Sequence, residues 1–148
     1  MKMRLYIAGP MQGYPSFNFP LFDMVAGQLR ARGYDVVNPA EHDRNKYPDI
    51  EQWPGFATGN VDNCPKFDLQ TCLRWDFQNV MECDAIAMLP GWRGSSGARD
   101  ERRIAERIGL KVYHVYFAET EELILVEDIT RMGRPIITDQ EEIHEHRP

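Results

Sequence analysis

The sequence contains few of the residues that build disulfide frameworks or metal sites. Its 3 cysteines are an odd number and form no CxxC pair, so neither a disulfide-bonded scaffold nor a zinc ribbon is predicted. The 4 histidines form no HExxH motif, and His144 and His146 lie in the polar stretch that closes the sequence. We therefore expect reduced cysteines, a cytoplasmic protein, and neither a metal nor another cofactor.

Long apolar runs and an excess of positive charge are also missing. No run approaches the roughly 20 apolar residues that a membrane-spanning helix needs, so we expect no membrane partner. The net charge is -6, whereas a protein that binds a nucleic-acid polymer usually carries a basic face. The negative net charge does not exclude a small anionic ligand, because a few local arginines suffice to bind one.

The sequence does contain enough apolar material for one domain over residues 1–148, since 43% of its residues are hydrophobic and 27% are charged. Short apolar runs over 5–8, 34–37, 85–89 and 111–116 predict strands, and apolar residues at helical spacing lie between them. This alternation predicts a doubly wound α/β fold, Rossmann-like or flavodoxin-like. Its mainly parallel sheet would have roughly four to five strands and carry helices on both faces.

Such a fold places its ligand where neighbouring strands diverge. In the predicted strand order 2-1-3-4, the first and third strands lie side by side, and the crevice opens at their carboxyl ends. The loops there, Gly9–Ser16 and Pro90–Gly97, both contain glycine. The second loop leads into a helix predicted over Ser96–Ile108, with Ser96 as its N-cap. Backbone N–H groups at a helix start favour anionic groups.

Two segments depart from the alternation of strands and helices. Residues 40–67 are rich in Asp, Asn, Pro and Gly, and a loop of this length inside a compact domain is usually functional or disordered. Tyr47, Trp53 and Phe56 favour an ordered excursion, which is either a lid over a site or a surface flap without function. From about residue 119 to residue 148 we predict a C-terminal extension, with a short helix at its start and then a hairpin or an edge strand.

Two carboxylates fall on helix stripes that should be apolar. Glu101 lies three residues after Ala98 and four before Ala105, and Asp76 takes the same kind of position on the preceding helix. The predicted stripes comprise Leu69, Leu73 and Val80 on the first helix and Ala98, Ala105 and Ile108 on the second. Buried acids cost free energy unless they are paired, hydrogen-bonded or placed at a cleft. We therefore interpret Glu101 as a catalytic candidate, and Asp76 as a second one or as the partner of an arginine.

A carboxylate at the floor of this crevice is suited to attack on the anomeric carbon of a sugar. Retaining glycosidic chemistry uses one carboxylate as nucleophile and a second group as acid and base. The nucleophile must stay ionised, which a helix amino terminus favours. Asp76 or Asp84 would then protonate or orient the nitrogen of a leaving base.

Several motifs in these regions occur together in one known superfamily. The segments YIAGP at 6–10, RWD at 74–76, CDAIAMLPGW at 83–92 and SSGARDE at 95–101 resemble the nucleoside 2-deoxyribosyltransferase superfamily, and more narrowly its small uncharacterised phage and bacterial branch (DUF4406-like). The most specific piece is Ser-x-Gly-Ala-x-x-Glu. The resemblance implies a Rossmann-like homo-oligomer of two or more copies. It also implies hydrolysis or transfer at the N-glycosidic bond of (deoxy)nucleosides or their 5′-monophosphates, without a cofactor.

The resemblance implies roles for individual residues. The nucleophile corresponds to Glu101, Tyr6 lies near it, Asp76 is the supporting acid with Asp84 as a second, and Ser95 contacts phosphate. The remaining predicted substrate-binding residues are Gly9, Pro10, Met11, Gly91, Trp92, Arg93, Gly97 and Ala98. The first loop has Pro10-Met11-Gln12 where the monophosphate hydrolases of the superfamily carry a Ser and an Arg. Arg93 or Arg99 would then supply the missing charge.

Alternative interpretations stay open at this point. The fold would also suit a non-catalytic module that senses or binds a nucleotide, with an arginine clamped onto Glu101. A Glu nucleophile would equally suit a glycohydrolase that acts on NAD or ADP-ribose. Trp92 would either stack on a base or anchor its loop, and Tyr6 would be a core aromatic if it has no part in the chemistry.

Overall fold

The centre of the molecule is a mainly parallel five-stranded sheet. The structure is a computed structural model that describes residues 2–131 and 134–135. The strands of the sheet are β1 (Arg4–Ala8), β2 (Asp35–Val37), β3 (Ala85–Met88), β4 (Lys111–Phe117) and β5 (Leu123–Asp128). They lie in the order β2-β1-β3-β4-β5. Only β5 is antiparallel to its neighbour, so the predicted order and the predicted side-by-side placement of β1 and β3 are confirmed.

Helices cover both faces of this sheet. The helices are α1 (Phe19–Ala31), α2 (Pro39–Lys46), α3 (Leu69–Glu82) and α4 (Ser96–Arg107). Successive side chains of a strand point to opposite faces, and in β1 Leu5 and Ile7 join the core beneath α1. Tyr6 and Ala8 join the core that contains residues of α3 and α4. The doubly wound α/β fold predicted from the alternation is therefore confirmed.

The excursion over residues 40–67 is ordered, as its aromatic residues predicted. It begins with α2, whose first turn is capped by the Asn38 side chain, which accepts a hydrogen bond from the Ala40 N–H at 3.0 Å. Further along, Ile50, Trp53 and Phe56 are buried in the core beneath α1. The helix α2 was missed in the sequence because its residues, PAEHDRNK, carry almost no apolar periodicity.

The loop after β1 is held against this excursion. The Gly13 N–H donates to the Gly59 carbonyl at 2.9 Å, and the Ser16 N–H donates to the Ala57 carbonyl at 3.2 Å. Ser16, Phe17 and Asn18 all have left-handed backbones, with φ of 55°, 50° and 61°. Such a conformation costs free energy in a non-glycine residue and persists only when its surroundings hold it. The two segments therefore form one wall at the carboxyl end of β1.

Several predictions about element ends and exposed faces were wrong. Ser95, not Ser96, caps α4, because its hydroxyl oxygen accepts a hydrogen bond from the Ala98 N–H at 3.2 Å. Leu69 and Ile108, predicted to lie on inward stripes, are 46% and 47% exposed. Leu69 is the first residue of α3, and Ile108 directly follows the last residue of α4. A turn with Glu121 at φ 65° replaces the short helix predicted near residue 119, and joins β4 to β5.

The described part of the C-terminal extension is extended chain. It supplies the edge strand β5 and then a short antiparallel hairpin formed by β6 (Thr130–Arg131) and β7 (Arg134–Pro135). Both alternatives predicted for this extension therefore occur. The rest of the extension, including the terminal polar stretch, lies outside the described residues. Across the described helices, none is long and apolar enough to span a bilayer.

Gly59 provides a test of the contact between the loop after β1 and the excursion. It has φ +72° and lies against the Tyr14 backbone, where a Cβ atom would overlap the Tyr14 carbonyl oxygen. We expect Gly59→Ala to lower the free energy of unfolding by roughly 2 kcal/mol or more, from backbone strain and this collision. Urea denaturation measures the change.

Gly27→Ala is the matched control for this substitution. Gly27 is exposed in the interior of α1, and no atom outside its own helix lies within 4 Å of the position that a Cβ would take. Alanine should therefore stabilise the protein by about 0.5–1 kcal/mol, since glycine is the weaker helix former. Equal effects of the two substitutions would contradict the assignment of Gly59 as a close backbone contact.

Candidate active site

A cavity of about 370 Å³ opens at the carboxyl ends of β1 and β3. Its walls come from the loop after β1, the excursion, α3 and the start of α4. This is the position where a doubly wound sheet binds its ligand, as the strand order predicted. Of the predicted site residues, those that line the cavity are Gly9, Pro10, Met11, Asp76, Ser95, Gly97, Ala98 and Glu101.

Glu101 and Asp76 form an acidic pair at this cavity, with Tyr6 buried beside them. Glu101 is only 6% exposed, and burial followed by the Asp76 charge raises its pKa well above the ordinary value. Burial raises the pKa of Asp76 to about 7. Burial and both carboxylates raise the pKa of the Tyr6 phenol. Because two neighbouring carboxyl groups do not both ionise readily, these shifts favour a pair that is at least singly protonated.

The Tyr6 hydroxyl belongs to this acidic cluster. The Tyr6 side chain is fully buried, and its hydroxyl makes no hydrogen bond of regular geometry within the described residues. It lies close enough to Glu101 and Asp76 that each carboxylate interacts with it. A phenol that stays protonated beside two carboxyl groups is placed to donate a hydrogen bond to whichever of them is ionised.

The amino terminus of α4 does not keep Glu101 ionised, contrary to our expectation. Glu101 lies six residues after the N-cap Ser95, whereas the influence of a helix dipole falls off within the first turn. Burial dominates and favours the protonated carboxyl. An ionised Glu101 therefore depends on Asp76 holding the shared proton, or on a ligand that changes the balance.

The arginine partner considered for Asp76 is not found. Among the ion pairs of the described residues, none includes Asp76 or Glu101. The clamp on Glu101 that would favour a purely binding module is likewise not seen there. Both acids remain directed at the cavity rather than neutralised by a cation.

A third acid, Asp43, lines the same cavity, and the sequence patterns did not predict it. It is 7% exposed. Burial and then the Asp76 charge raise its pKa to about 7, partly offset by Lys46. The Cys72 thiol donates a weak hydrogen bond to the Asp43 carboxylate at 3.9 Å. The Asn38-Pro39 pair was the available signal, because an N-cap residue followed by proline also predicts a helix start.

Asp84 does not reach the cavity. It precedes β3, at the amino end of the strand, where its carboxylate accepts a hydrogen bond from the Arg4 N–H at 2.8 Å. The carboxyl ends of the parallel strands, and therefore the cavity, lie at the opposite edge of the sheet. The prediction that Asp84 contacts substrate or acts as a second acid is therefore wrong.

Gly91, Trp92 and Arg93 lie outside the cavity lining as well. Trp92 and Arg93 line a separate depression together with Arg99 and Arg102. The guanidinium groups of Arg93 and Arg102 each lie 4.7 Å from the centre of the Trp92 ring. Trp92 is thus an anchor of its loop rather than a base-stacking platform. Arg93 and Arg99 do not supply charge to the cavity.

The charged groups of the cavity lining are all acidic. They are Asp43, Asp76, Asp100 and Glu101, and no Lys, Arg or His lines the cavity within the described residues. The same part of the chain contains no group of three or more His, Cys, Asp or Glu residues placed to hold a metal ion. Such a lining suits a neutral ligand with hydrogen-bonding groups better than a phosphate.

The fold and the site together define a doubly wound α/β protein with an acid-lined crevice where β1 and β3 diverge. Residues 3–114 match the family described as Domain of unknown function (DUF4406), so the chain belongs to this family. The match includes β1, β3, the excursion and the three acids Asp43, Asp76 and Glu101. No curated protein and no solved structure gave a significant match.

The raised pKa of Asp43 predicts a pH dependence of stability. Aspartate ionises near 3.8 in the unfolded chain, but Asp43 ionises at about 7 in the folded protein. Between these values the folded state binds more protons, so the free energy of unfolding falls as pH rises from about 4 to about 7. Asp43→Asn should reduce this loss, by up to a few kcal/mol, with Asp76 responsible for part of the remainder.

Urea denaturation at pH 5, 6, 7 and 8 measures this dependence. Asp62→Asn, on the exposed part of the excursion, controls for the removal of one negative charge. A wild-type protein that gains stability from pH 5 to pH 7, or an Asp43→Asn protein with an unchanged slope, would contradict the raised pKa.

Proposed function

We propose that this protein hydrolyses or transfers at the N-glycosidic bond of a (deoxy)nucleoside, with Glu101 as the nucleophile. The observation that carries the proposal is that Glu101 and Asp76 line the same cavity as neighbours, with the Tyr6 hydroxyl buried beside them. Two carboxyl groups that share a proton supply the two functions that retaining glycosidic chemistry requires. The resemblance of the motifs to nucleoside 2-deoxyribosyltransferases supports the same reaction.

In the first step the ionised Glu101 attacks C1′ of the sugar. An oxygen–carbon bond forms, the bond from C1′ to the base nitrogen breaks, and its electron pair stays on the base. Asp76 delivers the proton that neutralises the leaving base. The Tyr6 hydroxyl donates a hydrogen bond to the ionised carboxylate and orients the attacking oxygen.

The second step releases the sugar from Glu101. Water or a second base attacks C1′ from the face that the first base left, and Asp76 accepts the proton of this nucleophile. The ester bond to Glu101 breaks and the ionised carboxylate is restored, so the reaction needs no oxidant, reductant or metal. Hydrolase and transferase differ only in which acceptor occupies the cavity. The homo-oligomer implied by the resemblance remains a prediction.

Substitution of Glu101 tests the proposal directly. Wild-type protein is incubated with deoxynucleosides, ribonucleosides, their 5′-monophosphates and NAD, with and without a second free base, and released base is separated by chromatography. We expect release from at least one nucleoside, and a loss of at least about 10³-fold in kcat for both Glu101→Gln and Glu101→Ala, since neither side chain offers a carboxylate to attack C1′.

Glu82→Gln is the matched control, because Glu82 is an exposed residue at the end of α3. It should retain wild-type activity. A Glu101→Ala protein as active as wild type would overturn the mechanism. A protein inert over the whole panel that still binds a nucleotide tightly would instead establish the sensing module, and release of nicotinamide from NAD alone would establish the glycohydrolase.

The charges at the cavity predict a preference for nucleosides over their 5′-monophosphates. No cationic side chain of the described lining is placed to neutralise a phosphate, and a nearby dianion would further disfavour the ionised form of Glu101. We expect kcat/KM for a nucleoside to exceed that for its 5′-monophosphate by at least about tenfold. The 5′-O-methyl nucleoside carries a substituent at the same oxygen without its charge, and therefore distinguishes an effect of charge from one of size. A higher kcat/KM for the monophosphate than for both neutral compounds would contradict the prediction.

A further inference from the structure

Asp43 is a buried acid that the proposed reaction does not use. It lies on α2, a helix that sequence patterns did not reveal, and its carboxylate faces the cavity at 7% exposure. Its one side-chain hydrogen bond within the described residues is the weak contact from the Cys72 thiol. A buried carboxyl group with so little compensation costs stability, and a ligand in the cavity that hydrogen-bonds to it would offset this cost.

Asp43 shares its cavity with the acidic pair of Glu101 and Asp76. The Asp76 charge raises the pKa values of both Asp43 and Glu101. If Glu101 attacks C1′, the leaving base lies on the opposite face of that carbon. A base bound in this way extends away from Glu101 into the remainder of the cavity, whose lining includes Asp43 of α2.

The cavity wall contributed by the excursion and α3 is suited to a flat heterocycle. Ile50, Val61 and Phe67 of the excursion line the cavity, together with Leu73 of α3. Ligand pockets typically combine such apolar walls with a few polar groups that fix the orientation of the ligand. Asp43 is the polar group that α2 adds to this cavity.

Burial favours the neutral form of the Asp43 carboxyl group over its carboxylate. No cationic side chain of the described lining faces it, and the ammonium of the nearby Lys46 lies over the Tyr47 ring, 5.4 Å from its centre. A protonated carboxyl group offers one O–H donor beside one carbonyl acceptor. This pair matches a base edge that presents a ring nitrogen beside an exocyclic amine, as adenine and cytosine do.

We propose that Asp43 is the base-recognition residue of the cavity, and that its carboxyl group forms a paired hydrogen bond with the edge of a heterocyclic base. This inference rests on the proposed function for its choice of ligand. It assigns Asp43 to specificity rather than to proton transfer, which Asp76 performs.

Binding measurements test the proposal independently of catalysis. In the Glu101→Gln background, calorimetry gives the Kd of deoxyadenosine and of purine 2′-deoxyriboside, which lacks the exocyclic amine. Deoxycytidine and its analogue without the 4-amino group form a second pair. We expect Asp43→Ala to weaken binding of the aminated member of at least one pair by about tenfold to hundredfold, and to change binding of its partner by less than about threefold.

Asp43→Asn is the matched control, because an amide also offers a donor beside an acceptor. It should restore tight binding of the aminated nucleoside, and its thermal melt shows whether the fold is intact. A merely structural role would weaken both members of each pair equally, and that result would overturn the proposal, as would equal affinity of Asp43→Ala and the parent protein. If wild type releases no base but the binding of aminated nucleosides still depends on Asp43, the proposed reaction is refuted and the role of Asp43 is not.

Discussion

The burial of Glu101 beside Asp76 is the constraint on which this site depends. Burial raises the pKa of both carboxyl groups, and the Asp76 charge raises that of Glu101 further, so protonation of the pair is favoured. No ion pair with a cation relieves this cost in the part of the chain that the structure describes. One acid that is protonated beside one that can ionise is the arrangement that the proposed displacement at an anomeric carbon would use.

The rest of the fold holds these acids in place. Tyr6 and Ala8 of β1, together with β3, form the floor on which α3 and α4 pack. The loops above are in close contact, since a Cβ at Gly9 would come within 2.7 Å of Leu89 and one at Gly91 within 2.7 Å of the Tyr14 hydroxyl. Catalytic groups on rigid elements keep their geometry without reorganisation. The acidic lining of the cavity then decides which ligands are compatible with it.

Patterns within single elements predicted much of this structure. Apolar runs identified β1 to β4, and helical register identified Glu101 and Asp76 as acids on inward faces. The predicted substrate contacts were wrong for residues that belong to a motif but do not lie at the cavity. Asp84 borders β3 but at the amino end, and Trp92 belongs to the loop before α4 but faces away from the cavity. The position of a residue within a motif does not reveal at which edge of the sheet, or on which side of a loop, its side chain lies.

The amino-acid sequence was sufficient for the fold class, the strand order and the two acids on α3 and α4, because these follow from side-chain periodicity within a helix or strand and from general rules of chain connection. Only the tertiary structure revealed that Asp43 joins them, that Ser95 is the helix cap, and that no cation lines the cavity among the described residues. Burial, pKa and local charge depend on all surrounding groups, which here come from segments far apart in the chain. A local sequence pattern therefore does not predict these properties.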